Sequence, residues 1–152
     1  LVRALAEKPA AGVTAIVAGE GEARAALEHL ARALGVAGRI RFVGRVSDEE
    51  MLAYLARCRA VCFTPFDEDY GFVTVEAFAS RKAVITCHDS GGPTELVRHD
   101  DSGFVTEATP SALATALARI TDDGALAERM GARAAAQAAS MTWDAAVRQL
   151  VI

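Results

Sequence analysis

Residues 13–34, with the sequence VTAIVAGEGEARAALEHLARAL, contain the pattern on which the fold assignment depends. The stretch begins with an apolar run, Val13–Ala18, which is typical of a strand covered on both faces. Gly35 follows the stretch, and glycine commonly ends a helix because it adopts the left-handed conformation at little cost. Between these two points, apolar residues recur with the period of an α-helix, at Ala23, Leu27, Leu30, Ala31 and Leu34.

The same alternation of short apolar runs and helical segments continues along the chain. Ser47 and Glu50 have the spacing of a capping box and predict the start of the next helix. The predicted inner face of that helix comprises Met51, Leu52 and Leu55. Further strands are predicted at Arg39–Val43, Ala60–Thr64 and Ala83–Cys87, with a short fifth one at Phe104-Val105. This order predicts an α/β fold, a Rossmann-like parallel sheet with helices on both faces.

Both ends of the chain depart from this alternation. Extra helices are predicted at the carboxyl-terminal end, where Thr109-Pro110 begins one helix, Gly124 separates it from an alanine-rich one, and Thr142 caps a last one. Leu1–Pro9 has the pattern of the last turns of a helix, and a crossover helix ordinarily follows a strand. We therefore expect residues 1–152 to form one domain that is truncated at its amino terminus.

Composition and charge exclude several classes of function. The chain is 52% hydrophobic and has a formal net charge of -4, which argues against disorder and against a nucleic-acid or anionic-membrane partner. No segment approaches the roughly 18 consecutive apolar residues that a membrane-spanning helix needs. The cysteines lack the spacing of a metal or redox site, and no metal is predicted. We expect buried thiols, in a reducing compartment, at Cys58, Cys62 and Cys87.

The loop after the third strand carries the strongest binding signal. Ligands of open parallel sheets bind beyond the carboxyl ends of the strands, and this loop has the sequence PFDEDYGFVTVE over residues 65–76. Gly71 permits a tight entry into a helix that begins near Phe72. The backbone amides of Phe72, Val73 and Thr74 are then predicted to form a cradle for an anion such as phosphate.

Two carboxylates flank this cradle. Glu68 precedes the helix and Glu76 lies about one turn into it, so both are predicted to face one crevice, where carboxylates accept hydrogen bonds from vicinal hydroxyls. Glu76 has apolar neighbours in sequence, and burial of a carboxylate is costly unless it is paired or binds something. An alternative stays open, in which Asp67, Glu68 and Asp69 only form a solvated acidic loop that complements the helix dipole.

Three other loops at the predicted strand ends are candidate parts of the same site. Gly44-Arg45 follows the second strand, and Gly91-Gly92 follows the fourth, where the glycines permit either a close approach to a ligand or an ordinary turn. Gly19 and Gly21 begin a G-x-G pattern after the first strand, but Arg24 replaces its third glycine, which disfavours a nicotinamide dinucleotide. His88 ends the fourth strand and is a candidate for a capping or hydrogen-bonding role, whereas His29 and His99 are predicted to be structural or solvated rather than catalytic.

The spacing of these elements resembles a known family. Glu68 and Glu76 form an E-x7-E element that contains Gly71-Phe72, and the loop Gly91-Gly92-Pro93-Thr94-Glu95 follows it. This constellation resembles the carboxyl-terminal donor-binding domain of a GT-B fold, family 4 retaining glycosyltransferase. The resemblance covers nearly the whole chain, from the loop at Ala18–Gly21 to Thr142-Trp143.

The resemblance implies a role for each candidate residue. Glu76 would bind the ribose hydroxyls of a UDP- or GDP-sugar, and the amides of Phe72, Val73 and Thr74 would hold its phosphates. Glu68 would act in catalysis, by gripping hydroxyls of the transferred sugar near the anomeric carbon. The base would lie against Gly44 and Arg45, and the same rim would include Gly19, Gly21, Gly71, Gly91 and Gly92. The family needs no metal, and its amino-terminal domain holds the acceptor.

The chain also departs from that family. Family members have an earlier strand and a loop with an Arg and a Lys that neutralise the diphosphate, and neither Arg3 nor Lys8 stands in that place. We therefore expect this chain to fold, to transfer no sugar by itself, and to bind a nucleoside diphosphate with a Kd near about 1 mM, or ~4 kcal/mol. We expect a cytoplasmic location, with any peripheral membrane contact made by the absent domain. The alternatives are a non-catalytic partner-binding or regulatory module and, less favoured, a nicotinamide-dinucleotide domain.

Overall fold

The computed structural model describes residues 1–141 and shows parallel strands that alternate with helices. The predicted helix after Thr142 lies outside the described residues. The strands are β1 (Ala15–Ala18), β2 (Ile40–Gly44), β3 (Ala60–Cys62), β4 (Ala83–Cys87) and β5 (Gly103–Thr106). The helices are α1 (Val2–Ala6), α2 (Arg24–Ala33), α3 (Asp48–Arg57), α4 (Phe72–Ala79), α5 (Pro93–Leu96), α6 (Pro110–Asp122) and α7 (Gly124–Ser140). The predicted α/β class and the fifth strand are confirmed.

The strands form two parallel sheets rather than one. β1 pairs with β2, while β3, β4 and β5 pair in that order. Within residues 1–141, β1 and β3 do not pair with each other. Both sheets nevertheless pack on one hydrophobic cluster, which includes Val17 of β1, Ile85 of β4 and Phe104 of β5.

Helices cover both faces of the β3–β5 sheet, and β4 shows why. All of its residues are buried, and they alternate between two clusters. Ala83 and Ile85 face the larger cluster, which includes residues of α1 and α6, whereas Val84 faces a second cluster with Phe78 of α4 and Ala134 of α7. Burial of a side chain such as Phe78 contributes about 1.5–3 kcal/mol, so these two layers hold the sheet in place.

The start of α3 has the capping box that the sequence predicts. The predicted inner face of this helix is only partly correct, because Leu52 does not lie in the core. In α3, Ser47 Oγ accepts a hydrogen bond from the Glu50 amide at 3.2 Å, and Glu50 Oε2 accepts one from the Ser47 amide at 2.8 Å. Leu55 of the predicted inner face is buried, but Leu52 is 62% exposed. Leu52 is exposed because α3 turns only a narrow face to the core.

The parallel arrangement places all loops that follow strands at one edge, which we call the carboxyl edge. The segments that precede the strands lie at the opposite, amino edge. Pro9, which precedes β1, borders the same surface depression as Asp122 at the end of α6, so the amino ends of both sheets lie on the same side. No helix in residues 1–141 combines the length and mean hydropathy needed to cross a bilayer.

Candidate functional site at the carboxyl edge

The loops that follow β3 and β4 are joined by backbone hydrogen bonds. The amides of Asp67 and Glu68 donate to the carbonyls of Asp89 (2.9 Å) and Ser90 (3.1 Å), and the amide of Gly92 donates to the Glu68 carbonyl at 2.7 Å. Glu68 is therefore held by its backbone on both sides. Its side chain is presented by a braced loop rather than by an isolated one.

This contact explains the two glycines after β4. A Cβ on Gly91 would lie 2.5 Å from the Glu68 carbonyl oxygen, and a Cβ on Gly92 would lie 2.6 Å from the Asp69 carbonyl oxygen. Gly91 also has a φ of +70°, which L-residues rarely adopt. Glycine is thus required at Gly91 and Gly92 by the approach of the neighbouring loop, not by an observed contact with a ligand.

The start of α4 forms a smaller anion cradle than the sequence predicts. Gly71 enters the helix with a φ of 80°, as predicted, and its Cβ position would lie 2.7 Å from Pro93 Cγ. The Thr74 amide donates to the Gly71 carbonyl at 2.8 Å, so the prediction that it is available is wrong. Among residues 1–141, no oxygen accepts a hydrogen bond from the amide of Phe72 or Val73. The cradle therefore consists of two amides.

Glu76 is exposed, so its carboxylate is not buried among the apolar residues that neighbour it in sequence. α4 buries Thr74, Ala77 and Phe78, which lie on one face, and Glu76 projects from another. Within the described part of the chain, neither Glu68 nor Glu76 forms an ion pair. Both carboxylates keep their oxygens available as acceptors for hydroxyl groups.

The loops after β1 and β2 touch each other at two glycines. The Gly19 amide donates to the Gly44 carbonyl at 2.7 Å, and both residues have positive φ values, +116° and +73°. Gly21 has open space around it, and Arg45 is exposed. Gly19 and Gly44 thus shape this half of the edge, whereas nothing among the described contacts requires glycine at Gly21.

Arg24 is a cation beside this pair of loops, and the sequence reasoning missed it. Its Nη2 donates to the Phe42 carbonyl at 3.1 Å and its Nε donates to Glu28 Oε1 at 2.9 Å. Nη1 lies 3.0 Å from the position of a Cβ on Gly44. The sequence shows an arginine at this position, but the sequence analysis considered Arg24 only as the residue that replaces the third glycine of the G-x-G pattern.

The histidines have minor roles in this geometry. His88 is exposed, and its Nε2 lies 3.8 Å from Glu107 Oε1. His99 Nδ1 accepts a hydrogen bond from the Val105 amide at 3.2 Å, so its predicted structural role is confirmed. Across residues 1–141, no group of three or more His, Cys, Asp or Glu side chains is placed to hold a metal ion.

The carboxyl edge is open, aromatic and acidic. Phe66 and Phe72 are 82% and 71% exposed, and the rings of Tyr70 and Phe72 lie 5.0 Å apart. A surface depression of about 640 Å³ lies elsewhere, between α6 and Pro9. The basic side chains in the loops and first helical turns of this edge are Arg24 and Arg45. The acidic ones are Glu20, Glu22, Asp48, Glu49, Glu50, Asp67, Glu68, Asp69, Asp89, Glu95 and Glu107.

Comparison with known proteins assigns the chain to a family. Residues 1–137 match the family described as "Glycosyl transferases group 1". The chain belongs to this glycosyltransferase family. It is 33% identical over 135 residues to a D-inositol 3-phosphate glycosyltransferase of Corynebacterium diphtheriae. The aligned residues are 87% of this chain and 32% of that protein. A human alpha-1,3/1,6-mannosyltransferase is 32% identical over 92 residues, which are 60% of this chain and 22% of that protein.

Solved structures agree with this assignment. The Anabaena protein HepE in complex with UDP-glucose matches the glycosyltransferase domain with a TM-score of 0.81 and 31% identity, over 99% of this chain and 42% of HepE. The C-terminal domain of a group 1 glycosyltransferase from Francisella tularensis has the same fold, with a TM-score of 0.78 at 22% identity over 92% of this chain and 76% of that one. The chain spans about a third of the length of the curated relatives it matches. The predicted resemblance to a GT-B glycosyltransferase is confirmed.

Proposed function

We propose that this domain binds the nucleoside diphosphate of a UDP-sugar at its carboxyl edge, within a larger enzyme that transfers the sugar to an acceptor hydroxyl with retention of configuration. The supporting observation is the start of α4, where the amides of Phe72 and Val73 lack acceptors within residues 1–141. Glu68 precedes this helix start in the sequence, and Glu76 follows it within α4. HepE, a structural neighbour, is seen with UDP and with UDP-glucose. A GDP-sugar is the second candidate donor.

The proposed roles follow from the chemistry of each group. The amides of Phe72 and Val73 donate to a phosphate oxygen, and the positive end of the α4 dipole favours the charge that develops there as the diphosphate leaves. Glu76 accepts hydrogen bonds from the ribose hydroxyls. Glu68, on its braced loop, accepts hydrogen bonds from the transferred sugar near the anomeric carbon and thereby orients that carbon toward the acceptor.

The other half of the edge completes the proposed donor site. In the turn formed by Gly19 and Gly44, Gly19 is exposed and Gly44 is buried. We assign the base to the surface at Gly44 and Arg45, where Arg45 is exposed, with Gly21 on the same rim. Arg24 lies next to Gly44 and adds a positive charge there. Gly71, Gly91 and Gly92 support the site by allowing the close contacts between the loops that carry Glu68 and α4.

Charge at this edge makes binding by the chain alone weak. A helix N-terminus contributes about 0.3–1 kcal/mol to anion binding, and about 2 kcal/mol when partly buried. The many carboxylates at the carboxyl edge oppose a diphosphate. We therefore propose that a strand and a loop with an Arg and a Lys precede residue 1 in the whole enzyme, and that its amino-terminal domain holds the acceptor. We assign the enzyme to the cytoplasm, which the free thiols of Cys58, Cys62 and Cys87 support.

A titration with UDP, GDP and NAD followed by NMR tests the donor site. We expect UDP to bind near about 1 mM and to shift the amide signals of Phe72 and Val73. Glu76→Gln should weaken UDP binding about tenfold, because a hydrogen bond to a charged group contributes about 1.5 kcal/mol. A weaker affinity for UDP in this variant would indicate a lost hydrogen bond, because removal of a nearby negative charge by itself would strengthen the binding of an anion.

Glu107→Gln is the matched control, because Glu107 is an exposed carboxylate at the same edge. This variant should leave UDP affinity unchanged or slightly raised. The donor assignment fails if UDP shifts no signals at Phe72 and Val73, or if Glu76→Gln binds UDP as tightly as Glu107→Gln does. Binding of NAD with shifts confined to Gly19 and Gly21 would instead support a dinucleotide domain, and shifts produced only by a protein partner would support a regulatory module.

A further inference from the structure

The amino edge carries a cluster of cations that the net charge conceals. Arg57 and Arg59 immediately precede β3, and Arg81 and Lys82 immediately precede β4. Ala60 is paired with Ala83 in the parallel register, so the two basic segments lie side by side, about 4.8 Å apart as neighbouring strands are. We call these four residues the basic cluster.

Within residues 1–141, no carboxylate forms an ion pair with the basic cluster. Lys82 Nζ donates instead to the Ala56 carbonyl at 3.2 Å.

Three acidic residues of the amino edge interact with groups outside the basic cluster. Asp100 and Asp101 pair with Arg119 and Arg133 at 3.1 and 2.5 Å. Asp123 caps α7, where it accepts a hydrogen bond from the Leu126 amide at 2.8 Å. Three members of the basic cluster, Arg57, Arg59 and Arg81, are exposed, and Lys82 is half-buried.

Arg81 holds an unfavourable backbone conformation, which is a second, independent observation. Its φ is 59°, in the left-handed region, and it ends α4 in a motif where glycine is usual. The Lys82 amide donates to the Ala77 carbonyl and the Arg81 amide to the Phe78 carbonyl, both at 2.9 Å, as that motif requires. Glycine would adopt this conformation with less strain, so an arginine at this position lowers stability.

An exposed apolar surface adjoins the basic cluster. Ala56 and Leu52 lie one turn apart on α3, and the Ala56 carbonyl is the acceptor for Lys82 Nζ. Leu52 is 62% exposed and Ala53 is exposed beside it. Cations next to an exposed leucine match the composition of surfaces that rest at a membrane interface.

We propose that the basic cluster, with Leu52 beside it, docks this domain onto an anionic lipid bilayer. Each Lys or Arg near such a surface contributes about 1 kcal/mol, or about fivefold in affinity, and the leucine can enter the headgroup region. The carboxyl edge lies at the other end of the strands, so its acidic loops face away from the lipid. A nucleotide-sugar would then reach the proposed donor site from the aqueous side.

A bilayer fits these observations better than a nucleic acid does. Phosphodiester backbones offer no partner for the exposed side chain of Leu52. The opposite edge is acidic, so a long polyanion that wraps around the domain would be repelled, whereas a planar surface meets only the amino edge. The proposal does not depend on the donor site, because membrane binding is measured without any sugar transfer.

The test is co-sedimentation of the full chain with vesicles of phosphatidylcholine that contain about 30% phosphatidylglycerol. We expect binding at low salt and none to pure phosphatidylcholine vesicles. The variant Arg57→Gln/Arg59→Gln should lose about 30-fold in partitioning, at about 1 kcal/mol for each charge. Arg81→Gly should lose about fivefold while its thermal stability stays the same or rises, which separates lost binding from misfolding.

Arg32→Gln/Arg41→Gln is the matched control, since both arginines are exposed and belong to the β1–β2 half. This variant should keep most of the vesicle binding. The proposal is wrong if the chain ignores anionic vesicles at low salt, or if the control loses as much binding as the cluster variants. It is also wrong if an oligonucleotide binds through the basic cluster while vesicles do not.

Discussion

Individual thiols show how burial changes the chemistry of single residues in this domain. Burial raises the pKa of the Cys62 thiol to about 11, and it also raises the pKa of Cys58 and Cys87. The positive charge of nearby Lys82 opposes this rise at Cys58, and a hydrogen bond with the Thr106 side chain opposes it at Cys87. All three thiols therefore stay protonated at neutral pH, which makes them poor nucleophiles.

The raised pKa of Cys62 predicts a pH-dependent stability. The folded protein keeps this proton while the unfolded thiol loses it, so the free energy of unfolding falls as pH rises from 9.0 toward about 11. The loss is on the order of 2 kcal/mol by pH 11. Denaturation at several pH values should show a steeper decline for the native chain than for Cys62→Ala. Equal slopes would contradict this prediction, as would rapid alkylation of Cys62 at about pH 8 in the folded chain.

At the scale of elements, the two loops that follow β3 and β4 behave as one unit. The Glu68 backbone is bound on both sides by the loop of residues 88–92, and Gly71 packs against Pro93 at the start of α5. The position of the proposed catalytic carboxylate therefore depends on a loop more than twenty residues later in the chain. Substitutions in that second loop should affect the site without touching it.

Gly91→Ala tests this coupling. The new Cβ would meet the Glu68 backbone at 2.5 Å in a conformation with φ of +70°. We expect a loss of about 2–4 kcal/mol in the free energy of unfolding and a displaced Glu68 loop. Chemical denaturation measures the first effect, and NMR shifts at Asp67 and Glu68 measure the second.

Gly38→Ala provides the control for that experiment. Gly38 has nothing within 4 Å of its Cβ position and no positive φ, so the substitution should be tolerated. Finding Gly91→Ala as stable as Gly38→Ala, with unchanged signals at Glu68, would show that the two loops are independent.

At the scale of the whole molecule, the domain separates its charges along the strand direction. Carboxylates dominate the carboxyl edge, while the basic cluster occupies the amino edge. The formal net charge of -4 averages over these two ends and describes neither of them. A single domain can therefore repel an anion at one end and attract one at the other.

This separation predicts opposite salt dependences for the two proposed ligands. Raising NaCl from about 20 to about 200 mM shortens the Debye length from about 20 to about 7 Å and screens both edges. Vesicle binding should then fall at least tenfold, whereas UDP binding should stay constant or tighten about twofold, because repulsion from the acidic loops is reduced. Parallel sedimentation and NMR titrations measure both. A marked loss of UDP affinity with salt would show that cations, not acids, dominate the carboxyl edge.

Much of this organisation follows from local sequence. The apolar runs predict all five strands, with β3 extended to Thr64, because strand and helix periods are properties of neighbouring residues. The capping box at Ser47 and the left-handed entry at Gly71 follow for the same reason. The E-x7-E spacing and the glycine loops were sufficient to identify the glycosyltransferase family.

Only the tertiary structure decided which residues meet. In the folded domain, Glu76 and Leu52 are exposed and the Thr74 amide donates a hydrogen bond to the Gly71 carbonyl. Gly91 lies against the backbone of Glu68. The tertiary structure also set the segment before β3 beside the segment before β4, which created the basic cluster. These outcomes depend on contacts between residues far apart in the chain, and neither periodicity nor net charge carries that information.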